Sequence, residues 1–581
     1  MSLHLRLLGP RLAIRDGHEV SLRGDKAWVL LARLLLTDAP VPRSRVIADL
    51  FPDASDPAGA LRWNLSHLRR ALGVEIDGDP LRLALPADAT VDVALLRAGD
   101  AAAALSLDGL DDDLLTGVEL TTSPAAATWL EAARRHTRRL VLDVRREATL
   151  DRLGRGDHAG AIRIAEAAAA AAPLDEDVWA LLVRCLHLAG RTDDAADVAR
   201  SATALLRDHL GIDPSARFAD ARRAVPGGNR HATGPMAVVA QLEAGEAALA
   251  AGAVDAGLQA LRSAVVAARA LGNRALLARA LVTLGRALVQ SVRSTDDDGP
   301  TLLHEALPIA EDLGDAALAA AAARQLGYVD LLRGRYARCF VWFDRARRAT
   351  DDPATTGWVD VYEGVGRDDV GELQHAADLL AAASDLADRT GDTRLGTYAT
   401  TVLGRQQLLT GQGDAVATLG SAVTRARRAD WTSHVPFPES LLAEALRRHG
   451  ALSRAAATAE HAAALAEQVD DPCYRTSALR ALGLVRVDQA AVREGLGILT
   501  DLPPFCASVP DAYRWMHAWA LDAVADATSA VGDTAATAWI ERSVGFAQEL
   551  GLGPIAARGE VYLGRTTGPP GRPAPAARTA P

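Results

Sequence analysis

The sequence predicts a mainly α-helical protein that begins with a small α/β domain, and three observations carry this reading. Of its 581 residues 49% are hydrophobic and only 4% aromatic, with much of the apolar content in Ala and Leu, which favour helices. Short apolar pieces broken by Gly and Pro fill residues 3–22 before helical periodicity takes over. Further on, helix-ending Gly and Asp residues recur with a spacing near 40 residues.

Taken in order, residues 3–8, 11–14 and 19–22 are separated by Gly9-Pro10 and Asp16-Gly17, the pattern of small antiparallel strands. A helix is predicted over 25–36 and a short second one within 41–51, before Pro52 and Pro57 break the chain. The run 60–73 predicts a third helix. Leu61, Leu65, Leu68 and Leu72 are spaced 4, 3 and 4 apart and form one stripe that needs a core. Trp63, Ser66, His67 and Arg70 then point the other way, with Arg62 and Arg69 on the flanks and Gly73 ending the helix. After it, residues 74–76 and 81–85 flank Asp77-Gly78-Asp79-Pro80, a hairpin signal.

Strands, three helices and a terminal hairpin compose a winged helix-turn-helix, in which the last helix enters the major groove and the hairpin touches the backbone beside it. An amphipathic helix with three arginines is usually only a solvated surface helix. That reading handles Trp63 badly, because burying a large apolar ring normally gains free energy.

The stretch closely resembles the winged-helix domain of the AfsR/SARP transcriptional activators, themselves similar to the OmpR type. The resemblance rests on Leu5-Arg6-Leu7-Leu8-Gly9-Pro10, Lys26 opening an apolar helix, Arg43-Ser44-Arg45, and the run from Leu65 to Gly73. Pro173-Leu174-Asp175-Glu176, Leu181-Leu182, Ala189-Gly190-Arg191 and Leu210-Gly211-Ile212-Asp213-Pro214-Ser215 look like the bacterial transcriptional activator domain that follows in this family. Ala199 stands where the family usually has an aromatic.

The resemblance implies a sequence-specific regulator that binds direct repeats in double-stranded promoter DNA, as side-by-side protomers, and activates by contacting RNA polymerase. Relatives commonly control secondary metabolism. On this reading Trp63, Ser66, His67 and Arg70 face the bases, while Lys26, Arg43, Arg45, Arg62, Arg69 and Arg82 serve phosphates or the wing. Packing of Trp63 against the wing stays open, and would leave His67 and Arg70 as the main readers.

The predicted organisation is a winged helix-turn-helix over 1–93, an all-α activator domain over 94–224, a linker over 225–236, tetratricopeptide-like helical repeats forming an α-solenoid over 237–565, and a disordered tail over 566–581. Linker and tail are rich in Gly and Pro and lack apolar periodicity. Within the repeats, Gly272, Gly314, Asp351, Gly391, Asp430, Asp470, Asp511 and Gly551 mark helix ends. Gly285, Gly327, Gly364, Gly404, Gly483 and Gly564 each lie 13 residues beyond a marker. Such a glycine weakens a helix by about 1 kcal/mol relative to alanine, so its recurrence predicts helix crossings where a side chain would collide. Prolines in 430–438 and 501–510 are expected to interrupt the array. Its concave face is the place for a peptide, protein or small-molecule effector, with Trp342, Tyr362, Tyr398, Trp431, Trp515 and Trp519 as lining candidates, although each more often belongs to a core.

Residues 1–97 hold 13 basic and 12 acidic residues, so any DNA-attracting field must be local to one face; the remainder is net acidic by 12 and suits protein partners. Cys185, Cys339, Cys473 and Cys506 show no metal or disulfide spacing, and no signal or membrane segment is evident, so a cytoplasmic protein is expected. The chain has a single lysine, Lys26, outside any phosphate-binding glycine loop, and Gly411-Gln412-Gly413 and His304-Glu305 are incomplete as cofactor and zinc motifs. No enzyme, cofactor or metal is therefore expected. Two other readings fit the same residues: a repeat scaffold whose winged helix has weak or lost DNA binding, and a ligand sensor whose effector alters promoter occupancy.

Overall fold

A computed structural model describes residues 2–36, 41–98, 101–120, 123–211, 218, 234–250, 253–292, 298–469, 471–509 and 513–567. Most of the predicted linker and of the C-terminal tail lies outside the described residues; Pro235 and Met236 of that linker start a helix. The protein is mainly α. Its contacts divide it into two compact units, residues 1–330 with 335–356, and residues 331–334 with 357–581.

The first unit opens with β1 (Leu3–Arg6), β2 (Leu12–Arg15) and β3 (His18–Glu19). These join β6 (Thr90–Val91) in a sheet of order β3-β2-β1-β6. β1 runs antiparallel to β2, Leu3 opposite Arg15, and parallel to β6, His4 opposite Thr90. The third predicted strand is short because the chain leaves the sheet after Glu19 to bury Leu22 in the core. β6 has only two residues, too few for an alternating pattern, and the sequence gives no sign of it.

Helices α1 (Asp25–Leu36), α2 (Arg43–Leu50) and α3 (Pro57–Leu72) pack on this sheet, followed by the hairpin β4 (Glu75–Asp77) and β5 (Arg82–Ala84). This is the winged helix-turn-helix that the pattern predicts. Asp92 fastens it to α4 (Asp92–Ala98): its buried carboxylate accepts the backbone N–H groups of Leu7, Leu8 and Val93 at 2.7 Å each. Burial raises its pKa above the usual carboxylate value despite those donors.

α5 (Ala101–Leu105) leads to the 31-residue α6 (Pro124–Gly154), then to α7 (His158–Ala171), α8 (Glu176–Leu188) and α9 (Thr192–Leu210). α6 is covered at one end by α2: Ser123 Oγ donates to the Asp49 carbonyl, and the Asp49 carboxylate pairs with Arg33 at 2.7 Å. Later helices of the same unit are α10 (Pro235–Ala250), α11 (Val254–Ala270), α12 (Arg274–Ala287), α13 (Asp298–Asp312), α14 (Ala316–Leu332) and α15 (Tyr336–Ala349), and the other half of α6 meets α13 and α15. Arg338 pairs with Glu147 and with Asp330, the latter at 3.2 Å, and Arg335 reaches Asp143 at 3.0 Å. Glu305 receives Arg184 at 3.1 Å and Arg269 at 2.7 Å.

The second unit is built of antiparallel helix pairs: α16 (Pro353–Val370) with α17 (Leu373–Thr390), α18 (Thr393–Thr410) with α19 (Ala415–Arg428), α20 (Pro436–Arg448) with α21 (Leu452–Val469), α22 (Pro472–Asp488) with α23 (Val492–Ser508), and α24 (Arg514–Val531) with α25 (Ala536–Glu549) and α26 (Gly553–Thr567). The recurrent glycines sit where the helices cross. A Cβ on Gly404 would lie 2.5 Å from Leu419, and one on Gly483 would lie 2.7 Å from Leu499. In the first unit the same holds for Gly327 against Phe343 at 2.5 Å. Where α20 carries Ala443 instead, the facing residue in the same apolar cluster is Ala459.

The prolines at 503 and 504 do not interrupt the array, as the sequence suggested, but lie inside α23. Leu499, Leu502, Pro503 and Cys506 are buried there, and their packing outweighs the missing helix hydrogen bonds. Of the candidate lining aromatics, Trp342, Tyr362, Trp515 and Trp519 are buried, while Tyr398 and Trp431 are half-buried. All four cysteines are free and buried, and burial pushes the Cys185 thiol up to about 12. Among the described residues no helix is long and apolar enough to cross a membrane, and no group of three or more His, Cys, Asp or Glu is placed to hold a metal ion.

Candidate nucleic-acid interface

α3 is fixed at both ends before its surface is considered. Asp56 caps it, accepting the Gly59 N–H at 2.8 Å, and Pro57 occupies the first turn, where its missing N–H would have no partner. At the other end Gly73 takes the left-handed conformation with φ of 69°, returning its N–H to the Arg69 carbonyl. Arg15 of β2 donates to the carbonyls of Arg70 and Ala71 at 3.2 and 3.4 Å, placing a cation where the helix dipole is negative. Leu61, Leu65, Leu68 and Leu72 are all at most 2% exposed, so the predicted stripe is the core face.

The opposite face is open. Trp63 is 53% exposed and stacks on His67 with ring centroids 5.3 Å apart and planes 15° from parallel. His67 in turn accepts the backbone N–H of Arg23 on Nε2 at 3.0 Å, which places the proton of its neutral ring on Nδ1. Arg70 is exposed, its Nε donating to the Ser66 carbonyl at 3.3 Å. Trp63 also borders an open cleft of about 460 Å³ shared with Arg23, Lys26, Asn64 and Glu119. No hairpin residue lines that cleft.

The hairpin is held beside α3 by two arginines. Arg69 donates from Nε to the Ile76 carbonyl at 3.0 Å and from Nη2 to Asp77 at 2.8 Å. Arg43, opening α2, donates from Nε to the Gly78 carbonyl at 2.8 Å, and its N–H is received by Asp79 at 2.9 Å. A bridge between Val41 and Leu81 adds a backbone tie. The other sequence-selected cations are more open. Arg45 meets Asp49 at 3.0 Å with 70% of its side chain exposed, and Arg62 meets Asp56 at 3.4 Å with 66% exposed. Arg82 is exposed on β5, and Lys26 lies over the Phe51 ring at 5.3 Å.

Sequence reasoning brings Trp63, Ser66, His67 and Arg70 to one face, and so does the structure. It misses Arg15 and Arg23, which act on α3 from 55 and 44 residues away. Nothing in the local pattern near either residue signals such a contact. Asn64 is also missed; it is buried and donates from Nδ2 to the Ala60 carbonyl at 2.9 Å, inside its own helix.

Residues 87–225 match the family described as the bacterial transcriptional activator domain. Over 231 residues the chain is 31% identical to the regulatory protein AfsR of Streptomyces coelicolor, covering 37% of this chain and 23% of AfsR. It is 38% identical over 97 residues to the regulatory protein DnrI of Streptomyces peucetius, covering 16% of this chain and 35% of DnrI. The chain therefore spans about a quarter of the AfsR length and about a third of DnrI. Among solved structures, Mycobacterium tuberculosis EmbR in complex with a low-affinity phosphopeptide aligns at 21% identity and a TM-score of 0.32, over 38% of this chain and 64% of that one. The resemblance to AfsR/SARP regulators read from the sequence is borne out by these relatives.

Proposed function

We propose that this chain is a transcriptional regulator that binds promoter DNA through the outward face of α3 and activates by contacting RNA polymerase. The observation that carries the reading is the construction of α3: capped, cored and braced on three sides, it presents Trp63 and Arg70 to solvent beside a locked hairpin. Such a rigid helix suits groove reading, since its side chains need little further ordering on binding.

In this reading Arg70, Ser66, His67 and Trp63 meet base edges. Arg45, Arg62, Arg82 and Lys26 meet phosphates, and Arg43 and Arg69 hold the wing that carries Arg82. Residues 1–93 read DNA, 94–224 form the activator region, and the helices of 237–565 offer a surface for a peptide, protein or small-molecule effector. Two protomers lie side by side on direct repeats near promoters of biosynthetic genes. The regulatory relatives, similar over 231 and 97 residues, support the reading of the chain as a regulator.

The test is selection of duplexes from a random pool by the purified chain, repeated with an Arg62→Ala/Arg70→Ala variant. A repeated sequence element recovered by the parent and lost by the variant supports the reading. Recovery of the same element by both would remove α3 from the interface.

A further inference from the structure

Trp63 is the sole aromatic among the exposed large hydrophobic side chains of the described residues. It also stands near the centre of the outward face: at about 100° per residue its side chain projects roughly opposite the leucine stripe, as does that of Arg70. One indole face is covered by His67, whose planes lie 15° apart, and His67 is itself held by the Arg23 N–H at 3.0 Å. The remaining face is a flat apolar plate whose orientation is set before anything binds.

An indole has one donor and no acceptor, so it cannot make the paired hydrogen bonds by which Arg, Asn or Gln distinguish base pairs. The apolar group that base pairs display in the major groove is the 5-methyl of thymine. The geometry points to Trp63 as a thymine-reading residue, its free indole face lying against that methyl, with His67 as the residue that positions the ring. This rests on the DNA-binding reading of α3 and names the base chemistry that the face recognises. Because the stacked pair is fixed in advance, little side-chain entropy is lost on contact.

The experiment uses the full chain and the duplex it selects from a random pool. Each thymine of that duplex is replaced in turn by deoxyuridine, which keeps Watson–Crick pairing and removes only the methyl. The parent is expected to lose about fourfold in affinity at one thymine of each half-site, the effect of leaving one methyl-sized apolar group unburied. Trp63→Ala binds the thymine and uracil duplexes equally, while Arg70→Ala binds both more weakly and keeps the difference between them. His67→Ala reduces the methyl effect and His67→Phe, which retains a ring against the indole, restores it. Indifference of the parent to every uracil substitution, or an unchanged methyl effect in Trp63→Ala, overturns the inference while leaving DNA binding by α3 intact. Failure to select any duplex overturns both.

Discussion

Arg69 in the last turn of α3 donates from Nε to the carbonyl of Ile76 at 3.0 Å, across the corner where the helix turns into the hairpin. With the second donation to Asp77, its polar atoms serve the hairpin, and helix and wing behave as one body. A charge at this place therefore acts on DNA through the wing rather than through a phosphate. Arg69→Ala is expected to weaken binding at every salt concentration without changing the slope of log affinity against log salt. Arg62→Ala, whose guanidinium is 66% exposed, lowers that slope by about one. Equal slopes for the two variants would contradict this division of roles.

The glycine of each crossing is coupled to the side chain it faces. Gly404→Ala places a Cβ 2.5 Å from Leu419 and is expected to destabilise the second unit by about 1–3 kcal/mol. Leu419→Ala alone leaves a cavity and costs about 2–5 kcal/mol. In the double variant the new methyl enters that space, as Ala443 faces Ala459 in the next pair, so the two losses fall short of additive by about 1 kcal/mol or more. Chemical unfolding of the four proteins measures this; strict additivity would show that the crossing is not the reason for the glycine.

Glu305 joins three helices of the first unit. Its buried carboxylate takes Arg184 of α8 and Arg269 of α11; burial would raise its pKa, and the two guanidiniums bring it below the usual value. Glu305→Gln leaves both cations facing a neutral amide and is expected to cost about 3 kcal/mol. Urea unfolding of the first unit reads the loss, and a change within about 0.5 kcal/mol would contradict the role given to this carboxylate.

Acid weakens the second unit in two steps. Burial, aided by repulsion from Arg514 and Arg542, lowers the His517 pKa to about 4. The unfolded chain takes up that proton near 6.5, so this contribution is complete above pH 6.5 and is lost as pH falls toward 4. His517 is partly exposed, which limits the effect to about 1 kcal/mol. Burial raises the Glu444 pKa, but Arg480, Arg448 and Arg447 overcome it and hold the carboxyl well below its ordinary range. Its contribution is present above about pH 4.3 and is lost as the acidity increases further. His517→Phe, placed against Phe546, should flatten stability between pH 7 and 4.5 and leave the later loss. A parent protein with no decline above pH 4.5 would contradict the first step.

The legible parts of this molecule are those whose information is local. The leucine stripe of α3 declares its core face, and the hairpin after Gly73 follows from turn chemistry. Glycines at a fixed distance from helix ends announce the crossings at Gly404 and Gly483. What the sequence hides depends on partners far along the chain. Arg69 and Arg43 look like phosphate ligands until the hairpin folds back onto them. Arg405 and Arg480 look like solvated arginines on helix surfaces, yet each is 1% exposed. Arg405 reaches Asp368 at 2.7 Å and lies 4.4 Å over Trp515; Arg480 pairs with Glu444 and lies 3.6 Å over Trp519. No periodicity announces a buried ion pair whose halves sit on different helices.

Reading of promoter DNA by α3 is tested by incubating the purified chain with fragments of its own genome and sequencing what it retains. A small set of promoter fragments sharing direct repeats is expected, lost when Arg62 and Arg70 are both replaced by alanine. Retention of no fragment above background, or of the same fragments by the variant, would contradict it.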